Sequence, residues 1–225
     1  MRRASLAKQL IDAPNDKARR RLLAEYRHLA DDRLAVELRN ACYAAWTVEP
    51  VRAQRAASAA SILSKLDPGP VVNATAAWLR GIADITKGRF ETAVISLDQA
   101  AAALTDKADA AQIQVAKLLA LAMLGRYGQA IAAGRSALKV LAATGDPLAA
   151  GKIEMNLSNI VSRQGKFREA ERYGLSALRR FRRSGERTWQ AMAENPPDEV
   201  YDEILGRMQK TLDALQSERR LPVIG

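Results

Sequence analysis

The 225-residue chain contains one cysteine, one histidine and only 5% aromatic residues. Because Cys42 has no partner, an internal disulfide is excluded, which fits a reducing compartment. Strand-favouring runs of Val, Ile, Thr and aromatic residues are absent, and no stretch approaches the roughly 18 uncharged apolar residues of a membrane span. The N-terminus is basic but has no apolar stretch long enough for a signal peptide. These absences favour a cytoplasmic protein without a membrane segment.

Residue patterns that carry catalysis are also missing. His28 has no second histidine for a metal site, and Cys42 has no CxxC partner. The glycine-containing stretches at 88–93, 125–130 and 165–170 do not match a nucleotide-binding loop, and the carboxylates are scattered. We therefore expect no catalytic residues, no metal and no cofactor, and we interpret the protein as non-enzymatic.

The composition that is present predicts helices. Apolar residues make up 48% of the chain and are mostly Ala and Leu, the residues that lose least rotamer freedom in a helix. The formal charge is +10, with basic concentrations at 17–21 and 179–183. Such a balance is compatible with an acidic peptide, nucleic acid or anionic lipid as partner and does not choose among them.

Three segments, 79–104, 117–141 and 156–181, repeat one pattern. Each has Gly, a basic residue and an aromatic residue, then Ala three residues after the aromatic and a second Ala seven residues later. The matching positions are Gly88, Arg89, Phe90, Ala93 and Ala100; Gly125, Arg126, Tyr127, Ala130 and Ala137; and Gly165, Lys166, Phe167, Ala170 and Ala177. The glycines are 37 and 40 residues apart, which indicates a tandem helical repeat.

The pattern has a physical explanation. Glycine ends the first helix of a pair because it adopts the left-handed conformation without Cβ strain. Two alanines seven residues apart lie on one helix face and allow the paired helices to approach closely. A single pair cannot cover its own apolar face, so the pairs are expected to stack.

A fainter copy precedes these three. Residues 31–46 have helical apolar spacing, Pro50 suits the first turn of the following helix, and Ala53 and Ala60 repeat the alanine pair without a turn glycine. The predicted organisation is a basic N-terminal capping region (1–30), four helical hairpins (31–66, 71–104, 108–143 and 148–184) and a degenerate C-terminal capping unit (185–225). In that last unit, Pro196 and Pro197 are expected to interrupt a helix that begins after Gly185, and a new helix is expected to start at Asn195 with the two prolines in its first turn.

The repeat resembles the tetratricopeptide repeat (TPR) family, over roughly 31–184 and most specifically at the glycine, aromatic and alanine positions above. Gly81 keeps the family's first-helix glycine, whereas Trp78 is displaced by one position. The resemblance implies an all-α, right-handed superhelical solenoid of antiparallel hairpins, whose first helices line a concave groove that binds a peptide or a partner protein. The stretch 37–57 also resembles helical regions that precede CHAT-type peptidase domains, so a regulatory scaffold of such a protease system is an alternative.

Within the third clear repeat, Lys152, Asn156, Asn159 and Arg163 fall at i, i+4, i+7 and i+11 and share one helix face. Asn offers a donor and an acceptor to an extended peptide backbone, and Lys and Arg offer charge to a carboxylate. We interpret this face as a contact surface for an acidic or C-terminal peptide. The alternative is an ordinary solvated helix face.

The equivalent helices of the earlier repeats are more apolar. Trp78 and Ile82 share one face, and so do Leu119 and Met123. These four are candidate contacts for hydrophobic side chains of a partner, although apolar helix stripes are generally buried.

The remaining candidate is the arginine cluster Arg179, Arg180, Arg182, Arg183 and Arg187. It would serve either as a phosphate-contacting patch for nucleic acid or as cations that complement a helix C-terminus. Because no aromatic residues interleave the arginines, the second interpretation is favoured and nucleic acid is the less favoured partner.

Overall fold

Ten α-helices and one short 3-10 helix form the fold in a computed structural model, which describes residues 1–185. No strand occurs within this range. The helices are α1 (Arg3–Asp12), α2 (Asp16–Glu25), α3 (Asp32–Ala45), α4 (Pro50–Leu66), α5 (Pro70–Ile85), α6 (Phe90–Ala103), α7 (Lys107–Met123), α8 (Tyr127–Thr144), α9 (Pro147–Ser162) and α10 (Phe167–Ser184), with the 3-10 helix at Arg27–Leu29. The prediction of an all-α fold is confirmed for these residues.

The helix starts follow local sequence signals. Side-chain oxygens of four residues cap α2, α3, α7 and α9 by accepting backbone N–H groups of the first turn, namely Asn15, Asp31, Asp106 and Asp146. Proline begins α4, α5 and α9, where its missing N–H costs nothing. The predicted role of Pro50 is therefore confirmed.

The three repeat glycines end α5, α7 and α9 in the predicted left-handed conformation. Their φ angles are 72° at Gly88, 71° at Gly125 and 75° at Gly165. The residue after each glycine donates its N–H to the carbonyl five residues before it, over 2.9 Å (Arg89 to Asp84), 2.9 Å (Arg126 to Leu121) and 3.0 Å (Lys166 to Val161). This is the hydrogen bond of a Schellman motif, and it closes each first helix in the same way.

The repeated alanines are buried, at 0–7% exposure: Ala93, Ala100, Ala130, Ala137, Ala170 and Ala177. Ala53 and Ala60 of the fainter copy are also buried. From α3 onward, every helix contacts the next one along the chain. In addition, α3 contacts α5, α5 contacts α7, and α7 contacts α9. Small buried side chains therefore lie where the helix pairs approach one another.

A buried arginine, Arg19, connects the two N-terminal helices α1 and α2 by hydrogen bonds. Arg19 is 5% exposed and donates to the carbonyls of Leu10 (3.0 Å) and Ala13 (3.2 Å), which are left unpaired where α1 ends. It also forms an ion pair with Asp16. These contacts turn α2 back onto α1, which itself packs on α3 and α4. The predicted C-terminal capping unit, including Arg187 and the helix near Asn195, lies outside the described residues.

Candidate protein-binding surface

One aromatic and one aliphatic residue of the hairpin 71–104 are predicted to line the groove, but the structure places both in the core. Trp78 and Ile82 on α5 are both 0% exposed, so the prediction that they contact a partner is wrong. The reason is that α3, α4, α6 and α7 all pack against α5, so most of its residues are buried. Ile85, on the same face, is also buried.

A polar cluster on α3 and α7 covers Trp78. The Trp78 indole donates to the Tyr43 hydroxyl at 2.9 Å, and the two rings meet edge to face at 5.5 Å between centroids. The Arg39 guanidinium lies 5.2 Å from the Trp78 ring and pairs with Asp109 at 2.9 Å. Tyr43 in turn donates to the carbonyl of Gln112 at 3.5 Å. These contacts join α3 directly to α7 across α5.

The first helices of successive pairs, α3, α5 and α7, form a common face. This cluster covers the part of that face between α3 and α7. Burial raises the pKa of Tyr43, so its hydroxyl remains a neutral hydrogen-bonding group. The sequence analysis did not identify the cluster. Arg39 and Tyr43 lie one helical turn apart on α3, but Asp109 is on α7, so no local motif relates the three residues. Only the contacts of Arg39 and Tyr43 with Trp78, and of Arg39 with Asp109, bring them together. A partner that binds the first helices has to use a different part of that face.

The polar residues predicted on α9 differ in their surroundings. Asn156 is half-buried and donates its amide to the carbonyl of Val115 on α7 at 2.8 Å, so it connects two first helices. Lys152 is half-buried, and Asn159 and Arg163 are exposed. Of the four predicted contacts, the structure thus presents Asn159 and Arg163 to solvent and gives Asn156 a structural bond.

Two apolar residues of α7 remain accessible. Met123 is 52% exposed and Leu119 is half-buried. Two chain reversals separate α7 from α9, so these helices run in the same direction. The bond from Asn156 to Val115 sets these helices side by side, and Asn159 and Leu119 each lie about one helical turn beyond it. We call Leu119, Met123, Lys152, Asn156, Asn159 and Arg163 the α7–α9 surface.

The last helix pair contains an ion pair whose carboxylate is buried and whose guanidinium is partly exposed. Glu154 on α9 is 5% exposed, accepts from the Ser176 hydroxyl and pairs with Arg180 at 2.9 Å. Arg180 is therefore a structural residue of the arginine cluster. Arg179, Arg182 and Arg183 are exposed on α10, and Arg187 lies beyond the described residues.

The isolated histidine and cysteine take no part in the α7–α9 surface. His28 is exposed in the 3-10 helix. Cys42 is buried on α3, where burial raises the pKa of its thiol to about 12, so the reactive thiolate is suppressed at neutral pH. Within residues 1–185, no group of three or more His, Cys, Asp and Glu side chains is placed to hold a metal ion.

Comparison with known proteins does not assign the chain to a family. No protein-family model matches the sequence. A comparison with curated proteins gives no match either. Over the described part of the chain, none of the helices combines the length and apolar character needed to cross a membrane.

Proposed function

We propose that this protein is a cytoplasmic, non-enzymatic scaffold of the TPR type, whose helix pairs stack into a right-handed superhelical solenoid. The repeated Schellman turns and buried alanines support this arrangement, because they give successive pairs the same internal geometry. The contacts of first helix with first helix support it further. A stack of this kind offers an extended binding face without a catalytic centre.

The proposed binding site is the α7–α9 surface, and its ligand is an acidic or C-terminal peptide. The observation that carries this proposal is the exposure of Asn159 and Arg163 on α9, together with the accessibility of Leu119 and Met123 on the neighbouring α7. An amide, a guanidinium and an exposed thioether provide backbone hydrogen bonding, charge and an apolar contact within one surface. Closure of the face between α3 and α7 directs a ligand towards α9.

The test is fluorescence polarisation with fluorescein-labelled peptides rich in Asp and Glu that end in a free carboxylate, beside their lysine-substituted counterparts. We expect the acidic peptides to bind, and N159A/R163A to weaken binding about 10-fold or more, since hydrogen bonds to charged groups contribute about 1.5–3 kcal/mol. The matched control is Q129A/R172A, which removes an exposed amide and an exposed guanidinium on α8 and α10. Equal binding of both variants would contradict the assignment.

Nucleic acid is a second candidate ligand because α10 exposes several arginines. The Arg172 side chain is 73% exposed, and Arg179 and Arg183 are exposed further along the helix. For a phosphate-binding helix, the affinity for a 20-base-pair DNA duplex should fall steeply with salt concentration, and R179A/R183A should reduce the slope. Absence of a gel shift at low salt would eliminate this candidate.

A further inference from the structure

The N-terminal helices carry an excess of positive charge that the α7–α9 surface does not use. Residues 1–30 contain eight Lys and Arg against three Asp and Glu. Four of the eight cations lie at 17–21, in the first half of α2. This end of the chain therefore favours an anionic ligand.

A groove of about 730 Å³ lies between α1 and α2, and we call it the α1–α2 groove. Its lining residues recur every three or four positions on both helices, from Ser5 to Asp12 on α1 and from Ala18 to Glu25 on α2. One face of each helix therefore forms a wall of the groove. The volume lies in the range of sites that bind small molecules.

Each wall of the groove carries one cation. Lys8 on α1 and Arg21 on α2 both line the groove, and both are exposed. Within residues 1–185, neither side chain forms an ion pair or a hydrogen bond. Lys17, one helical turn before Arg21, is also exposed on α2. Positive charge thus reaches the groove from two sides and has no partner there.

The two carboxylates that line the groove are already engaged. Asp12 forms an ion pair with Arg52 of α4 at 3.3 Å, which balances its charge. Glu25 accepts a hydrogen bond from the Tyr26 hydroxyl, and this bond raises the pKa of Tyr26. The lining of the groove therefore keeps a surplus of positive charge for a ligand.

The core holds both walls in place. Arg19 of α2 donates to carbonyls at the end of α1, so the two helices are joined directly. Leu6 and Leu10 of α1 and Leu23 of α2 are at most 1% exposed. In addition, α1 packs on α3 and α4. Walls that are fixed before binding reduce the entropic cost of ordering them around a ligand.

We propose that the α1–α2 groove binds the phosphate monoester group of a small ligand or a lipid headgroup, through Lys8 and Arg21. The Arg21 guanidinium can donate to two phosphate oxygens, and Lys8 supplies a compact charge from the opposite wall. A phosphate monoester carries about 1.5–2 negative charges at neutral pH, so it gains more from two cations than a carboxylate does. Ser5 and Gln9, which line the same groove, offer uncharged hydrogen-bonding groups to hydroxyl groups of the ligand.

Two binding experiments with the full chain distinguish the sources of the phosphate. Glycerol 3-phosphate is titrated in a calorimeter, and vesicles of phosphatidylcholine with or without phosphatidic acid are co-sedimented with the protein. Both are carried out at about 0.15 M salt, where attraction between exposed charges is screened beyond about 8 Å. Binding of glycerol 3-phosphate identifies a soluble ester, whereas binding only to the vesicles with phosphatidic acid identifies a headgroup. Absence of binding in both experiments, or equally tight binding of acetate, would overturn the proposal.

A pair of variants tests whether the groove is the site. We expect K8A/R21A to weaken the observed binding at least about 10-fold, because charged donors are lost from both walls. The matched control is K65A/R80A, which removes an exposed lysine from α4 and an exposed arginine from α5, away from the groove lining. Circular dichroism checks that both variants keep the helical fold. Unchanged binding by K8A/R21A, or an equal loss in both variants, would overturn the proposal.

Discussion

Gly81→Ala is the substitution that best distinguishes the effect of packing on stability from the effect of helix propensity. Gly81 lies inside α5, where alanine alone would stabilise the helix by about 1 kcal/mol. However, a Cβ atom at this position would lie 2.6 Å from Cγ of Leu97, 2.8 Å from its Cδ2 and 3.2 Å from the carbonyl oxygen of Ala93 on α6. Leu97 is 0% exposed, so it cannot move into solvent.

The expected net effect follows from these two opposing terms. Overpacking a close helix contact costs about 1–3 kcal/mol, and the propensity gain offsets about 1 kcal/mol of that cost. We therefore expect Gly81→Ala to lower the free energy of unfolding by up to about 2 kcal/mol. With an m value of about 2 kcal/mol per molar urea, the unfolding midpoint should fall by up to about 1 M.

Gly174→Ala is the matched control. Gly174 also lies inside a helix, α10, but its added Cβ would meet only the Ser158 hydroxyl at 3.5 Å, an ordinary contact. This variant should gain about 0.5–1 kcal/mol of stability. Urea unfolding followed by circular dichroism measures both variants. If Gly81→Ala were stabilised as much as Gly174→Ala, the close approach of α5 and α6 would be refuted.

Three further predictions concern the turn at Gly125, the buried thiol of Cys42 and the ion pair between Glu154 and Arg180. Gly125→Ala should cost about 1–2 kcal/mol in urea unfolding, because a φ of 71° strains any residue with a side chain. The strain comes from the backbone alone, since no atom lies within 4 Å of the added Cβ. An unchanged unfolding midpoint would argue against the Schellman turn. Cys42 has a raised pKa, so its contribution to stability is complete below the ordinary value of 9.0 and is lost as pH rises towards about 12, by about 1.4 kcal/mol per pH unit. Cys42→Ala should lack that part of the alkaline loss, and identical pH profiles would contradict burial of the thiol. Glu154→Ala leaves Arg180 and Ser176 without their partner and should cost about 1–3 kcal/mol in thermal unfolding, whereas an unchanged melting temperature would show that the pair contributes little.

The sequence was sufficient to predict the helical fold because its signals are local and repeated. Glycine followed by an aromatic residue marks a turn whose conformation depends on the glycine itself, as at Gly88 and Gly165. Alanines seven residues apart identify the buried helix face without knowledge of the partner helix, as at Ala93 and Ala100. Such features depend on only a few neighbouring residues, so the conformation that they predict is the one found in the folded structure.

The site was less predictable because it depends on contacts between distant residues. The spacing of Lys152, Asn156, Asn159 and Arg163 gave their common helix side, but it could not reveal that Asn156 binds a carbonyl of α7. The apolar periodicity of α5 did not distinguish a surface from a core. Trp78 is buried because Tyr43, from another helix, covers it.

Chemical-shift mapping tests the central claim most directly. Assigned amide spectra of the ¹⁵N-labelled full chain would be recorded during titration with an acidic peptide that ends in a free carboxylate. We expect the perturbed amides to cluster at 119–123 on α7 and 152–163 on α9. Perturbations confined to 179–183 on α10, or to the N-terminal helices, would contradict the assignment of the α7–α9 surface as the binding site.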